Sequence, residues 1–222
     1  MPATMQTNEI AAAYDRWAPI YDLVFGGVFK TGRRLAVDAA DRIGGRVLEV
    51  GVGTGISLPQ YGRHCLLTGI DIADSMLDKA RERVRRRGLK NVEDIAVMDA
   101  ENLRFEKDSF DVVVAQYVVT AVPNPEQALN EFMRVVRPGG EIIITTRISA
   151  DEGFRARLEK SLMPVTSKLG WRTEFPWSRY EAWADANPHI RLIEHRPLPP
   201  LGHFSLVRYR KSPDRPLANP TS

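Results

Sequence analysis

The sequence predicts an α/β fold, a mostly parallel sheet covered by helices on both faces. Two observations carry this. Short apolar runs alternate with helical periodicities throughout residues 46–147. Those runs are apolar at nearly every position, as strands buried on both faces are. A third observation bounds the size: 222 residues, 43% apolar and 27% charged, make one ordinary globular domain with a full core.

Residues 1–8 read as a loose tail. From Asn8 a helical pattern places Ile10, Tyr14, Trp17, Tyr21, Val24 and Val28 at spacings of three and four. Pro19 divides it into two short helices, itself near the start of the second, and Gly26-Gly27 break that second helix. A further helix runs from Lys30 to Arg42 and stops at Gly44-Gly45. Arg46–Val50 is the first strand; it ends in a glycine cluster, and a helix is expected after it. Leu66–Asp71 is the second strand. Asp74 then caps a helix, with Ser75 and Asp78 also fitting a capping box. That helix carries Arg81, Arg83, Arg85, Arg86 and Arg87, read as a solvated face, and ends at Gly88.

Val92–Val97 and Phe110–Ala115 are the third and fourth strands. Asn124-Pro125-Glu126-Gln127 opens a helix, with a capping residue and a proline in the first turn. Ala128, Leu129, Phe132, Val135 and Val136 keep its spacing, Pro138-Gly139-Gly140 end it, and Glu141–Arg147 is the fifth strand. Asp151–Lys168 reads as a helix, followed by an aromatic-rich stretch to Pro188. Ile190–Arg196 and His203–Arg210 suit an antiparallel hairpin on the sheet edge. The tail after Ser212, with three prolines, reads as disordered.

Charge and composition exclude several classes. A formal charge of +3 does not predict nucleic-acid binding. Cys65 is the one cysteine, so an internal disulfide framework is impossible and a reducing, cytoplasmic setting is expected. His64, His189, His195 and His203 are scattered without metal-ligand spacing, so no metal is expected. The N-terminus shows no basic flank before an apolar run, hence no secretory signal. The longest apolar stretch, Val112–Val122, falls far short of the ~18 residues that suggest a membrane span. Any membrane role is expected to be peripheral.

Val47–Gly55 joins a strand to a glycine loop at the point where open α/β sheets bind ligands. Gly51, Gly53 and Gly55 let backbone approach a ligand closely, but Ile56 stands where the dinucleotide fingerprint needs its third glycine. Asp71, at the end of the second strand, is placed to accept from two ribose hydroxyls. Asp99 follows the third strand and either accepts from an exocyclic amine or caps its own loop. Glu49 either faces a cationic amino group or pairs with a structural arginine or a backbone amide. These carboxylates would repel a phosphate ligand and accept an adenosine bearing an amino acid and a sulfonium.

The set Glu49–Gly55, Asp71, Asp99-Ala100, Gln116-Tyr117 and Arg137-Pro-Gly-Gly140 resembles class I S-adenosylmethionine (SAM)-dependent methyltransferases. The resemblance covers the middle half of the chain. It implies a Rossmann-like, doubly wound seven-stranded sheet with a reversed C-terminal strand. It also implies SAM as cofactor and S-adenosylhomocysteine as its product. Asp71 then binds ribose, Asp99 and Ala100 bind adenine, and the glycine loop holds the methionine part. Ile72, Met76, Gln116 and Tyr117 join the expected cofactor contacts.

The segment Tyr14-Asp-Arg-Trp-Ala-Pro-Ile-Tyr-Asp22 resembles the opening of two groups. One is the bacterial phospholipid N-methyltransferases, which convert phosphatidylethanolamine to phosphatidylcholine; the other is the ubiquinone/menaquinone C-methyltransferases. Leu23–Arg33 and Gly202–Leu206 are more similar to the phospholipid group. A phospholipid acceptor and an anionic membrane surface are the partners this implies, at the inner face of the cytoplasmic membrane. A quinone carbon or a soluble small molecule is the alternative acceptor. A non-catalytic membrane-binding protein with a vestigial cofactor fold is the reading from another class, and the intact Gly51, Gly53, Gly55, Asp71 and Asp99 argue against it. N-methylation builds positive charge, which aromatic faces stabilise. Tyr14, Trp17, Tyr21, Tyr117, Trp171, Trp177 and Tyr180 are the available aromatics, and of these Tyr14, Tyr21 and Tyr180 are the expected catalytic residues. Six basic residues face two acids between Gly153 and Tyr180, suited either to a lipid phosphate or to a solvated helix face. The expected organisation is a lid or membrane-docking segment at 1–45, the methyltransferase domain at 46–211 and a tail at 212–222.

Overall fold

A computed structural model of the chain describes residues 29–148, 175–199 and 204–213. The elements run α1 (Lys30–Asp41), β1 (Gly45–Val50), a 3-10 turn (Leu58–Gln60), β2 (Cys65–Asp71), α2 (Asp74–Arg87) and β3 (Val92–Val97). There follow β4 (Phe110–Gln116), α3 (Pro125–Val135), β5 (Val136–Arg147), α4 (Trp177–Asp185), β6 (Ile190–Leu198) and β7 (Phe204–Lys211). The expected N-terminal helices, the Asp151–Lys168 helix and the tail beyond residue 213 lie outside the described residues.

The strands form one sheet in the order β3-β2-β1-β4-β5-β7-β6. β7 runs antiparallel to both neighbours, so the expected hairpin is present with its second strand inside and β6 at the edge. The period-two alternation of the strands separates two cores. Val47, Val112, Val114, Ile143 and Leu206 pack with α1 residues Ala36, Val37 and Ala40 on one face. Leu48, Val113, Ile142, Ile144 and Val207 pack with Phe132, Tyr180 and Trp183 of α3 and α4 on the other.

Four local expectations are corrected. The glycine loop is not followed by an α-helix but by one 3-10 turn carrying Pro59, and the chain turns again at Gly62. Asp74 is the first residue of α2 rather than its cap; Ala73 takes that position without a side-chain bond. Asn124 precedes α3, yet its side chain donates to Glu101 (2.7 Å) and accepts from none of the helix amides. Pro138-Gly139-Gly140 form an irregularity inside a strand that begins at Val136, with pairing to β4 shifting between Phe110 and Val112.

One element escaped the sequence reading, α4. Its Trp177, Tyr180 and Trp183 fall at helical spacing, and Asn187-Pro188 follow as a stop. α1 was grouped with the N-terminal segment, but it packs on β4, β5 and β7 and belongs to the sheet's own layer.

At the end of the sheet opposite the glycine loop, Asp41, His64 and Cys65 come together, which the scattered histidines did not suggest. Asp41 Oδ1 accepts from the Gly62 amide (2.6 Å) and from the Cys65 thiol (3.4 Å). Burial pushes that thiol up to about 12, with Asp41 adding to the shift, so it stays protonated in this clasp.

Glu141 on β5 is buried and accepts from Arg208 (2.6 Å) and Arg210 (2.7 Å) on β7; Arg208 also reaches Glu194 on β6 (2.9 Å). One carboxylate thus ties the reversed hairpin to the parallel strands. Glu141→Ala leaves Arg208 with Glu194 alone and is expected to cost about 3 kcal/mol, read as a lowered urea midpoint.

Candidate active site

β1 and β4 are adjacent, yet the chain leaves them in opposite directions along the sheet, which makes their carboxyl ends the switch point. Gly51, Gly53 and Gly55 leave β1 with φ of 70°, 53° and 71°, the left-handed region. The Gly51 and Val52 amides both donate to the Ile70 carbonyl (2.8 and 3.0 Å). The Gly53 amide donates to Asp71 Oδ2 and the Ala73 amide to Oδ1 (2.9 and 3.0 Å). Burial raises the Asp71 carboxyl above its ordinary value, while the Ala73, Gly53 and Ile72 amides oppose that rise.

Two clefts open here. The larger, about 830 Å³, has Asp71, Ile72 and Met76 on one side and Asp99 and Ala100 on another. Residues following β4, among them Val118 and Val122, close it. Asp99 caps its own loop, its Oδ1 accepting from the Glu101 amide (2.9 Å), and it also lines the cleft. The smaller cleft, about 550 Å³, is lined by Glu49, Ser57, Thr54 and Arg33. Gly51, Gly53, Met76, Gln116 and Tyr117 border both. Gly55 borders neither; a side chain there would strike Leu58 and Ala80, so this glycine serves packing against α2.

Glu49 is 2% exposed. Its Oε1 accepts from the Ser57 hydroxyl and from Gln116 Nε2 (3.2 Å). Oε2 is buried without a hydrogen-bond partner. Neither an arginine bridge nor a backbone amide satisfies it among the described residues. Burial lifts the carboxyl to about 7, against the pull of the Ser57 and Tyr61 hydroxyls and the Arg33 charge. Arg33 and Ser57 went unnoticed in the sequence. Arg33 sits in a helix far from any glycine motif, and only the packing of α1 on the sheet brings it here.

Tyr180 is corrected. It is fully buried, its hydroxyl donates to Thr146 Oγ1 (3.0 Å), and Phe175 packs edge-on at 4.5 Å. Burial drives its phenol pKa up, and it lines neither cleft, so it is a core residue of α4. Tyr14 and Tyr21 lie outside the described residues.

Residues 48–144 match a family model described as a methyltransferase domain. The chain is 41% identical over 207 residues to a phosphatidylethanolamine N-methyltransferase of Cereibacter sphaeroides, spanning 93% of this chain and 100% of that protein. The chain belongs to the SAM-dependent methyltransferases. The aklanonic acid methyltransferase DauC of Streptomyces is 33% identical over 206 residues, 84% of this chain and 90% of its own. Among solved structures, the YcgJ protein of Bacillus subtilis superposes with a TM-score of 0.70 at 18% identity, over 83% of this chain and 99% of its own. SAM is the methyl donor of this methyltransferase, as the motifs implied.

Two measurements on the cofactor-free methyltransferase test this geometry. A carboxyl raised from 4.5 to about 7 holds a proton in the folded protein that the unfolded chain has already lost. Stability therefore falls as pH rises through that window, by on the order of 3 kcal/mol, and levels off above it. Urea unfolding across pH should show this slope, and Glu49→Gln should remove it. Gly51→Ala meets the Val118 side chain and a left-handed backbone, whereas Gly53→Ala meets the backbone strain alone. Gly51→Ala is expected to cost at least about 2 kcal/mol and Gly53→Ala about 1 kcal/mol in thermal unfolding.

Proposed function

We propose that this enzyme methylates the amine of phosphatidylethanolamine, and then its mono- and dimethylated forms, towards phosphatidylcholine at a membrane surface. The observation that carries the reading is the extent of the similarity to the Cereibacter sphaeroides protein. It spans 93% of the chain, so it includes the segments outside the common sheet that select an acceptor.

The site supports it. Three acids, Glu49, Asp71 and Asp99, face the clefts at the switch point, a set that suits a cationic adenosyl amino acid. In this reading Asp71 and Ile72 hold the ribose, Asp99 and Ala100 the adenine, and Gly51 and Gly53 the methionine part, with Met76 and Gln116 between them. The unpartnered Glu49 oxygen takes the amino group, and Arg33, on the same small cleft, suits the carboxylate beside it. SAM supplies a methyl on a sulfonium, so this chain's contribution to nitrogen attack is alignment and exclusion of water.

The N-terminal segment, about Asn8 to Phe29, is read as the membrane-docking element and lid, from its apolar stripe with Trp17 and Phe25. Phe29, which the sequence places on that stripe, is buried against Tyr117 and Phe204 and belongs to the core. Among the described residues no helix is long and apolar enough to cross a membrane.

The decisive experiment is expression in a host lacking phosphatidylcholine, with labelled methionine and lipid extraction. Label in the three methylated phospholipids supports the reading; label in a quinone or a soluble product, with none in phospholipid, overturns it. Asp71→Ala should weaken SAM binding by about 1.5–3 kcal/mol in calorimetry, with the protein still folded. SAM binding should also tighten as pH rises through about 7, because the amino group favours ionised Glu49, and Glu49→Gln should flatten that profile. Removing residues 1–28 should abolish sedimentation with anionic vesicles and leave the sheet's circular dichroism intact.

A further inference from the structure

The geometry points to Tyr117 as the residue that holds the acceptor's ammonium, its ring forming the floor between the two clefts. The inference rests on the N-methylation reading above and gives it an acceptor-binding residue. The sequence offers Tyr117 both as a cofactor contact and as one of the aromatics available to the acceptor, with Tyr14, Tyr21 and Tyr180 preferred.

Position comes first. Of the five residues that border both clefts, Gly51, Gly53, Met76, Gln116 and Tyr117, only Tyr117 carries a ring. It follows directly on β4 at the switch point, where the two clefts meet.

Backbone conformation is the second observation. Tyr117 has φ of 62°, and among the described residues only Asp108 shares a positive φ without being glycine. For a bulky residue this conformation is costly and survives only where the surroundings impose it. Here the Tyr117 amide donates to the Thr145 carbonyl (2.7 Å), which holds the turn. The strain aims one aromatic side chain at the site rather than along the strand.

The ring is fixed from three elements, the third observation. Phe29, just before α1, lies at 4.2 Å between centroids with an interplanar angle of 36°. Phe204, opening β7, meets it edge-on at 5.5 Å. The hydroxyl donates to the Phe29 carbonyl (3.4 Å), and Gly32 has no room for a side chain because that hydroxyl is there. A phenol donating to a carbonyl keeps an electron-rich face and cannot turn away from it. Such a face attracts an ammonium, and most strongly one stripped of water by methylation.

The other aromatics of the described region have different work. Tyr180 is sealed in the core, and Trp177 stacks on His195 at 3.8 Å. The ligand class that follows is an alkylated ammonium on a short zwitterionic headgroup, with affinity rising as methyl groups are added.

The test uses the full chain saturated with S-adenosylhomocysteine and titrated with phosphocholine, choline and inorganic phosphate. In the wild type, the N-methyl proton signal of phosphocholine and of choline should move upfield by ring current, and inorganic phosphate should not compete with choline. Tyr117→Phe keeps the face and should retain the shift and the affinity. Tyr117→Leu should lose the shift and weaken phosphocholine about tenfold, while S-adenosylhomocysteine affinity changes less than threefold. Should Tyr117→Leu fail to fold, Phe204→Leu, which loosens the ring without touching the strained turn, should reduce the upfield shift.

An unchanged shift in Tyr117→Leu, or in Phe204→Leu where Tyr117→Leu does not fold, overturns the proposal. So does a loss of S-adenosylhomocysteine affinity equal to that of phosphocholine, which would make Tyr117 a cofactor contact. Methylation of phosphatidylethanolamine vesicles by wild type and Tyr117→Leu at the same KM would remove Tyr117 and leave the N-methylation reading standing. Absence of any such methylation by wild type, with no phosphocholine shift, would remove both.

Discussion

How the chain leaves β1 governs everything at the site. Three left-handed glycines turn it, and its first free amides are taken by the end of β2: two by the Ile70 carbonyl, one by the Asp71 carboxylate. The loop is therefore anchored sideways, to its neighbour strand, and not forward into a helix. In dinucleotide-binding sheets a helix N-terminus after the corresponding loop faces a pyrophosphate. Here only a 3-10 turn follows, and the cleft presents carboxylates. A site built this way has no dipole to offer an anion and a surplus of acceptors for a cation with hydroxyls. Asp71 fixes the loop with both carboxylate oxygens while it lines the cleft, and its burial makes those bonds count for more.

Two buried glutamates show how the same side chain serves opposite ends. Glu141 and Glu49 are each 2% exposed. Glu141 is satisfied by two arginines across the reversed strand, and its work is to hold the hairpin in register. Glu49 has two neutral donors on one oxygen and none on the other, and its carboxyl sits near neutrality. An unsatisfied buried carboxyl is a standing cost to the fold. It is tolerable where a cationic ligand removes that cost on arrival, and it converts part of the folding deficit into ligand affinity.

The central strands could be read from the sequence because strands buried on both faces leave continuous apolar runs, as β4 does. β3 coincides with Val92–Val97 although it is an edge strand with Glu93 and Asp94 exposed, and the other strands differ by a few residues at their ends. The glycines and Asp71 could be read because each is bound to a backbone geometry that the spacing alone fixes. What could not be read depends on contacts between distant segments. Asn124 looks like a helix cap until Glu101 is folded beside it. α4 hides because its helical face is made of aromatics, which also suit strands and loops. Tyr180 looked like a substrate aromatic for the same reason: a tyrosine's burial is decided by the partner surface, here Phe175 and Thr146, and no local pattern announces it. Arg33 ends a stretch whose resemblance carries no cofactor role, and only the docking of α1 across β4 and β5 brings it near Glu49.

The reversed strand has a consequence for the acceptor side. β6 is antiparallel to β7, and β7 to β5, so β6 ends and β7 begins at the edge where the parallel strands have their carboxyl ends. Phe204 pairs with Arg147, the last residue of β5, and Leu198 pairs with Phe204. A seventh strand running parallel would have brought its last residues to the mouth by a crossover helix. The hairpin instead delivers two apolar side chains there at no cost in connecting chain. Leu198 and Phe204 both pack in the cluster built on α1, the element that carries Arg33. The charged wall of the small cleft and the aromatic wall around Tyr117 thus meet at one joint, α1 laid across β4, β5 and β7. Such a joint sets Glu49 and the Tyr117 ring independently, because the two are held by different partners, the glutamate by Ser57 and Gln116 and the ring by Phe29 and Phe204.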